Sequence, residues 1–169
     1  MSNIKRVGVY AGSFNPFHVG HLDILRQAQR VFDHVIIAIG RNPDKDKEER
    51  LPFPTNNVAL RDATIVNYSG LLSDYLNTLD FENDIEVFLI RGLRNGDDLQ
   101  YEQNQLQFIE EMFPSVKPVF FICDRKFGHI SSSVLKSLKK FSEKEYLKYV
   151  LLPQSEPEPQ KYGWDSSDL

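Results

Sequence analysis

Five apolar runs punctuate the chain, at residues 7–11, 34–40, 63–68, 86–90 and 116–123. Within each run apolar residues follow one another instead of alternating with polar ones, which predicts strands covered on both faces. Between the runs the spacing changes. Leu22, Leu25, Ala28 and Phe32 recur at helical intervals. Helices are likewise predicted at 69–76 with its cap, at 95–112 up to Pro114, at 134–140 and at 143–151. Strands that alternate with helices predict an α/β fold: a Rossmann-like, doubly wound parallel five-stranded sheet. Residues 41–50 are almost wholly polar and read as a loop. Pro52 and Pro54 break any helix there, leaving room for one short helix over 55–62 with Thr55 as its N-cap.

A length of 169 residues favours one domain. We place it at 1–152, followed by an acidic, Pro-containing tail at 153–169 that reads as disordered or draped over the surface. Trp164 and Tyr162 are out of keeping with pure disorder and suit docking on the body or a partner. The net charge of −4 argues against nonspecific nucleic-acid binding. A single cysteine excludes an internal disulfide framework and a multi-cysteine zinc site. Cys123 closes an apolar run and reads as a buried or pocket-wall thiol. The absence of a long apolar segment leads us to expect no membrane partner and a cytoplasmic location.

The chemistry concentrates where the first strand hands over to the first helix, in Gly12-Ser13-Phe14-Asn15-Pro16-Phe17-His18-Val19-Gly20-His21. In an open α/β sheet ligands bind at such a handover, and helix N-termini there offer N–H groups to phosphate. Gly12 permits a turn and a close approach to the backbone. His18 and His21, three apart, share a face of the first turn and suit a phosphate and the charge that grows on it in a transition state. Taken without their context, they read equally as surface histidines on a capped helix. The 41–50 loop is either a solvated linker or a lid that carries Lys45 or Lys47 to a phosphate. Arg91 and Arg94 directly follow a strand, for structural ion pairs or for ligand phosphate, and we favour phosphate. Ser131, Ser132 and Ser133 precede a helix, as N-caps or as ligands of a triphosphate.

The ten-residue stretch also resembles the signature of the H-x-G-H nucleotidyltransferases. Three later stretches resemble one family among them, the phosphopantetheine adenylyltransferases: Ser69-Gly70-Leu71-Leu72-Ser73-Asp74-Tyr75-Leu76, then Arg91-Gly92-Leu93-Arg94 with Asp98, Tyr101 and Glu102, then Ile130-Ser131-Ser132-Ser133. The resemblance runs from about Val7 to Lys140 and implies a fold of the nucleotidyltransferase type. It implies transfer of AMP from ATP to 4′-phosphopantetheine with Mg2+, giving dephospho-coenzyme A and pyrophosphate. His21, Lys45 and Arg94 would be catalytic. Gly12, Ser13, Phe14, His18, His21, Arg94, Glu102 and the three serines would bind the nucleotide. Ser13, Lys45, Leu76 and Arg91 would bind the acceptor. No residue is assigned to metal, because magnesium would ride on phosphates and water. The resemblance implies a homo-oligomer, a hexamer, whose partners are ATP and a small phosphorylated acceptor, with no nucleic acid.

The chain departs from that family in places. Threonine is usual where His18 stands, and the fuller H-x-G-H is that of nicotinamide and nicotinate mononucleotide adenylyltransferases. Pro54-Thr55-Asn56-Asn57 replaces the helix after the lid, Phe141-Ser142-Glu143-Lys144 replaces a glycine-aspartate turn, and the acidic tail has no counterpart. The alternatives are therefore a mononucleotide adenylyltransferase, a cytidylyltransferase, or a non-catalytic nucleotide-binding relative.

Overall fold

The computed structural model describes residues 4–41, 50–80 and 84–154. The loop bearing Lys45 and Lys47 and the tail beyond Gln154, with Tyr162 and Trp164, lie outside the described residues. Five strands form one sheet in the order β3-β2-β1-β4-β5, with β1 at Lys5–Gly12, β2 at His34–Gly40, β3 at Thr64–Tyr68, β4 at Ile85–Leu93 and β5 at Pro118–Ile122. Every pairing is parallel. β4 runs three residues past the apolar stretch that predicted it, so Arg91 and Gly92 belong to the strand itself.

Both faces of the sheet are covered, which explains the unbroken apolar runs. Tyr10 and Ile37 face one core with Ile24, Leu25 and Ala28 of α1 (Val19–Gln29). Val9, Ala38 and Leu89 face the other, with Leu76 of α2 (Leu72–Asp80) and Leu106 and Ile109 of α3 (Gly96–Met112). A third, smaller cluster of Ile130, Leu135, Tyr146 and Val150 seats α4 (Ser132–Phe141) and α5 (Glu143–Leu147). Chain order moves outward from β1 to β2 and β3 on one side and to β4 and β5 on the other. The crevice at this switch point lies beyond Gly12 and Leu93, the carboxyl ends of β1 and β4. Gly92 lets α1 close over it, since a Cβ there would stand 2.9 Å from Ile24.

Three helical expectations are corrected. Asn57, not Thr55, caps the short helix, a 3-10 turn at Val58–Leu60, by accepting the Ala59 N–H at 3.0 Å. The second helix begins at Leu72, after Gly70 turns the chain in the left-handed region at φ 84°. The last helix stops at Leu147, because residues 149–151 pair instead with the turn before α1. Val19 N–H donates to Tyr149 C=O, and Leu151 N–H donates to Phe17 C=O. Among the described residues no helix is long and apolar enough to cross a membrane.

Leu25 is fully buried beneath the turn that carries the histidines. Leu25→Ala is expected to cost about 2–5 kcal/mol in urea unfolding, the range for a buried leucine that leaves a cavity. A cost well below 1 kcal/mol (about the lower edge of core effects) would show that α1 is not seated as described.

Candidate active site

A cavity of about 440 Å3 opens at the switch point. The turn from β1 into α1 supplies one wall. Phe14 adopts the left-handed region there at φ 45°, a conformation seldom seen in a bulky residue outside functional turns. Its ring meets His21 edge-on at 5.0 Å and packs with Phe17 and Phe53.

His18 is the N-cap of α1. Its Nδ1 accepts from Gly20 N–H at 3.1 Å and His21 N–H at 3.4 Å. In return His21 Nδ1 accepts the His18 N–H at 3.3 Å. Gly20 makes this possible: a Cβ there would press on the His18 ring at 3.1 Å. The two imidazoles stack with centroids 3.6 Å apart. Because each Nδ1 accepts, the network assigns each ring proton to Nε2. Both histidines thus offer an N–H donor while neutral. Burial pushes the His18 pKa down to about 4, helped by the Arg94 charge. Burial among Phe14, Phe17 and Tyr10, then the charges of His18 and Arg94, hold His21 well below the usual histidine range.

This arrangement corrects one expectation. The first-turn amides of α1 are not free for phosphate. Val19 N–H goes to Tyr149, Gly20 and His21 N–H to His18, and Leu22 N–H to the His18 carbonyl. A phosphate at this end would meet imidazole Nε2–H groups instead.

β4 and α3 supply the opposite wall. Arg91 donates from Nη1 to the Ala11 carbonyl at 3.1 Å, and its Nε stands 3.1 Å from Glu102. That contact is an ion pair without hydrogen-bond alignment, so Nε keeps no aligned acceptor among the described residues. Burial raises the Glu102 pKa, which the Arg91 charge opposes. Arg94 grips Asp98 with both arms, at 2.9 and 2.7 Å, and Asp98 is held low by those bonds. Asn95 caps α3 by accepting the Asp98 N–H. Both arginines therefore have carboxylate partners and also line the cavity, so the two readings of them are compatible.

Ser131 caps α4 through the Val134 N–H and also lines the cavity, so the cap leaves it beside any phosphate bound there. Ser132 donates to the Pro16 carbonyl at 3.2 Å and also lines it. Ser133 is exposed, bonds to Ser131 and lies off the lining. Gly12 and Ser13 are on the lining. Leu76 is not: it is fully buried in the core between α2 and the sheet, because the apolar phase of α2 turns it inward. Its assignment to the acceptor is corrected to packing. Lys45 lies outside the described residues. The sequence reading passed over Tyr10, Ile24 and Phe127 on the lining, residues that only the packing of the helices on the sheet brings here. Cys123 is indeed a wall thiol, its pKa raised by burial and therefore not a ready nucleophile at neutral pH.

The unfolded chain takes up the His18 proton near 6.5 and the folded chain near 4. Between those values the unfolded state binds more protons, so the contribution of His18 to stability is full above 6.5 and is lost as pH falls towards 4. The His18 Hε1 resonance should accordingly titrate near pH 4 in the folded protein. A midpoint at the ordinary histidine value would sink the neutral-donor assignment.

Residues 9–138 match the Cytidylyltransferase-like family. The chain is 35% identical over 138 residues to a phosphopantetheine adenylyltransferase of Dictyoglomus turgidum, covering 79% of this chain and 83% of that one. It is 35% identical over 141 residues to the phosphopantetheine adenylyltransferase of Clostridium novyi, covering 80% and 84%. In structure it is similar to Plasmodium falciparum nicotinic acid mononucleotide adenylyltransferase complexed with NaAD, with a TM-score of 0.57 and 16% identity over 86% of this chain and 90% of that one. That likeness extends to the fold alone. With the parallel sheet, the histidine turn and the arginines Arg91 and Arg94 all in place, the chain belongs to the cytidylyltransferase-like family, among its phosphopantetheine adenylyltransferases.

Proposed function

We propose that this chain transfers AMP from ATP to 4′-phosphopantetheine and releases pyrophosphate. The observation that carries the reading is the convergence of His18, His21, Arg91 and Arg94 on one cavity at the switch point, in a chain of this kinship. An oxygen of the acceptor phosphate attacks the α-phosphorus in line. The new P–O bond forms as the bond to the β-phosphate oxygen breaks, and the electron pair leaves with pyrophosphate. The chain needs no nucleophile of its own. His21 donates Nε2–H to an α-phosphate oxygen as charge grows there, a donor aimed in advance by its bond to the His18 backbone. Arg94 and the serines Ser131 and Ser132 hold the nucleotide phosphates, and Arg91 the acceptor phosphate.

Magnesium fits this cavity as a companion of ATP. Asp98 is already bound by Arg94, and Glu102 faces Arg91. Among the described residues no group of three or more His, Cys, Asp or Glu side chains is placed to hold a metal ion. Phosphate oxygens and water would hold the ion, which would draw charge from the leaving pyrophosphate. We place the reaction in the cytoplasm, where a chain with one cysteine needs no oxidising compartment.

His21→Ala should reduce turnover by about two to three orders of magnitude, the scale for removing one preorganised donor, while ATP binding persists. Unchanged turnover would remove His21 from the chemistry. The acceptor is tested by pyrophosphate release from ATP and magnesium with phosphopantetheine and, in parallel, with nicotinamide mononucleotide. Release only with phosphopantetheine is expected; release only with the mononucleotide would make His18 the better guide to the acceptor.

We also propose self-association, to the hexamer that the family resemblance implies, through the outer face of α3, where Tyr101, Phe108 and Met112 are 64%, 63% and 44% exposed. Light scattering should show an oligomer that Phe108→Glu breaks. A monomer at micromolar concentration would end this part of the reading.

A further inference from the structure

We propose that Asp23, working with Gln27, is a positioning residue that fixes the nucleotide-binding turn 124–132 against the helix that carries His21. The proposal rests on the adenylyltransferase reading for its substrate, ATP. It rests on geometry for the rest.

β5 is an edge strand, bonded to β4 on one side only. At its end Cys123 N–H still reaches the Leu93 carbonyl of β4. The next backbone groups have no strand to meet. Gln27 donates to the Ile122 carbonyl at 3.0 Å, and Asp23 accepts the Asp124 N–H at 2.9 Å. Gln27 also donates to Asp23, at 3.0 Å, so the pair acts as one unit. Two side chains one helical turn apart on α1 thus continue the ladder that the sheet cannot supply.

What this holds is the other half of the nucleotide site. From Asp124 the chain folds through a 3-10 turn at Arg125–Phe127, capped by Asp124 itself, and a further Ile130 N–H to Phe127 carbonyl bond leads to Ser131. Phe127, Ile130, Ser131 and Ser132 all line the cavity. Asp23 stands two residues after His21. The Asp23 bond at the start of this turn, together with the Ser132 bond to the Pro16 carbonyl at its end, therefore sets the gap between the histidine wall and the serine wall, where a triphosphate must touch both. Asp23 is itself off the cavity lining, so it acts through the turn and not on the substrate.

Asp23→Ala removes the acceptor. Asp23→Asn keeps an oxygen that still accepts the Asp124 N–H. Calorimetric titration of each variant with magnesium-ATP reads the effect without an acceptor substrate. Asp23→Ala should weaken ATP binding about tenfold or more, the scale for losing a hydrogen bond to a charged group. Asp23→Asn should recover most of that loss. In turnover, Asp23→Ala should raise KM for ATP and leave KM for phosphopantetheine within about twofold. Unaltered ATP affinity in Asp23→Ala would overturn the proposal. So would an equal loss in both variants, or a loss that falls alike on both substrates and tracks a lowered Tm. Wild-type chain that binds ATP but turns over no acceptor would defeat the functional reading and leave the titration as the test of Asp23. Wild-type chain that binds no ATP would overturn both.

Discussion

Every amide in the first turn of α1 has an acceptor before any ligand arrives, and two of the four are held by one imidazole. That constraint decides the character of the site. A histidine whose Nδ1 is committed to backbone N–H groups must present its proton at Nε2, and a ring enclosed by phenylalanines resists taking a second one. The helix end therefore presents two imidazoles to the cavity, with its dipole behind them. Gly20 is part of the same device, since it leaves the space into which the His18 ring folds back.

The charges around the cavity are nearly in balance. Arg94 is matched by Asp98 and Arg91 by Glu102, and the histidines are neutral. A triphosphate would meet oriented donors here more than net positive charge. Its own charge is then left to be met by what comes with it. This is a site built for geometry: the carboxylates of α3 orient the guanidinium groups of Arg91 and Arg94, and a phosphate ligand would supply the remaining partners.

The strands were legible because a sheet covered on both faces leaves an unbroken apolar signature. The Ser131 cap was legible because its hydrogen bond reaches only to Val134. Reading failed where neighbours in sequence compete or where distant residues meet. Thr55 and Asn57 are both acceptable caps, and only the turn after Pro54 selects the second. Leu76 belongs to a stretch that resembles the family, yet the phase of α2 buries it. Asp23 and Asp124 lie 101 positions apart, a meeting that no local pattern announces. The pairing of 149–151 with 17–19 escapes a local reading because the partners of Tyr149 and Leu151 lie about 130 positions away.

That last pairing orders the events of synthesis. The histidine turn leaves a ribosome about 130 residues before residues 149–151, yet Val19 N–H and Phe17 C=O find their partners in Tyr149 and Leu151. The residues matched by the family model stop at 138, so the segment that completes the turn lies beyond them and emerges after them. A nascent chain can assemble its sheet and still carry a half-made histidine turn until residues 149–151 are released.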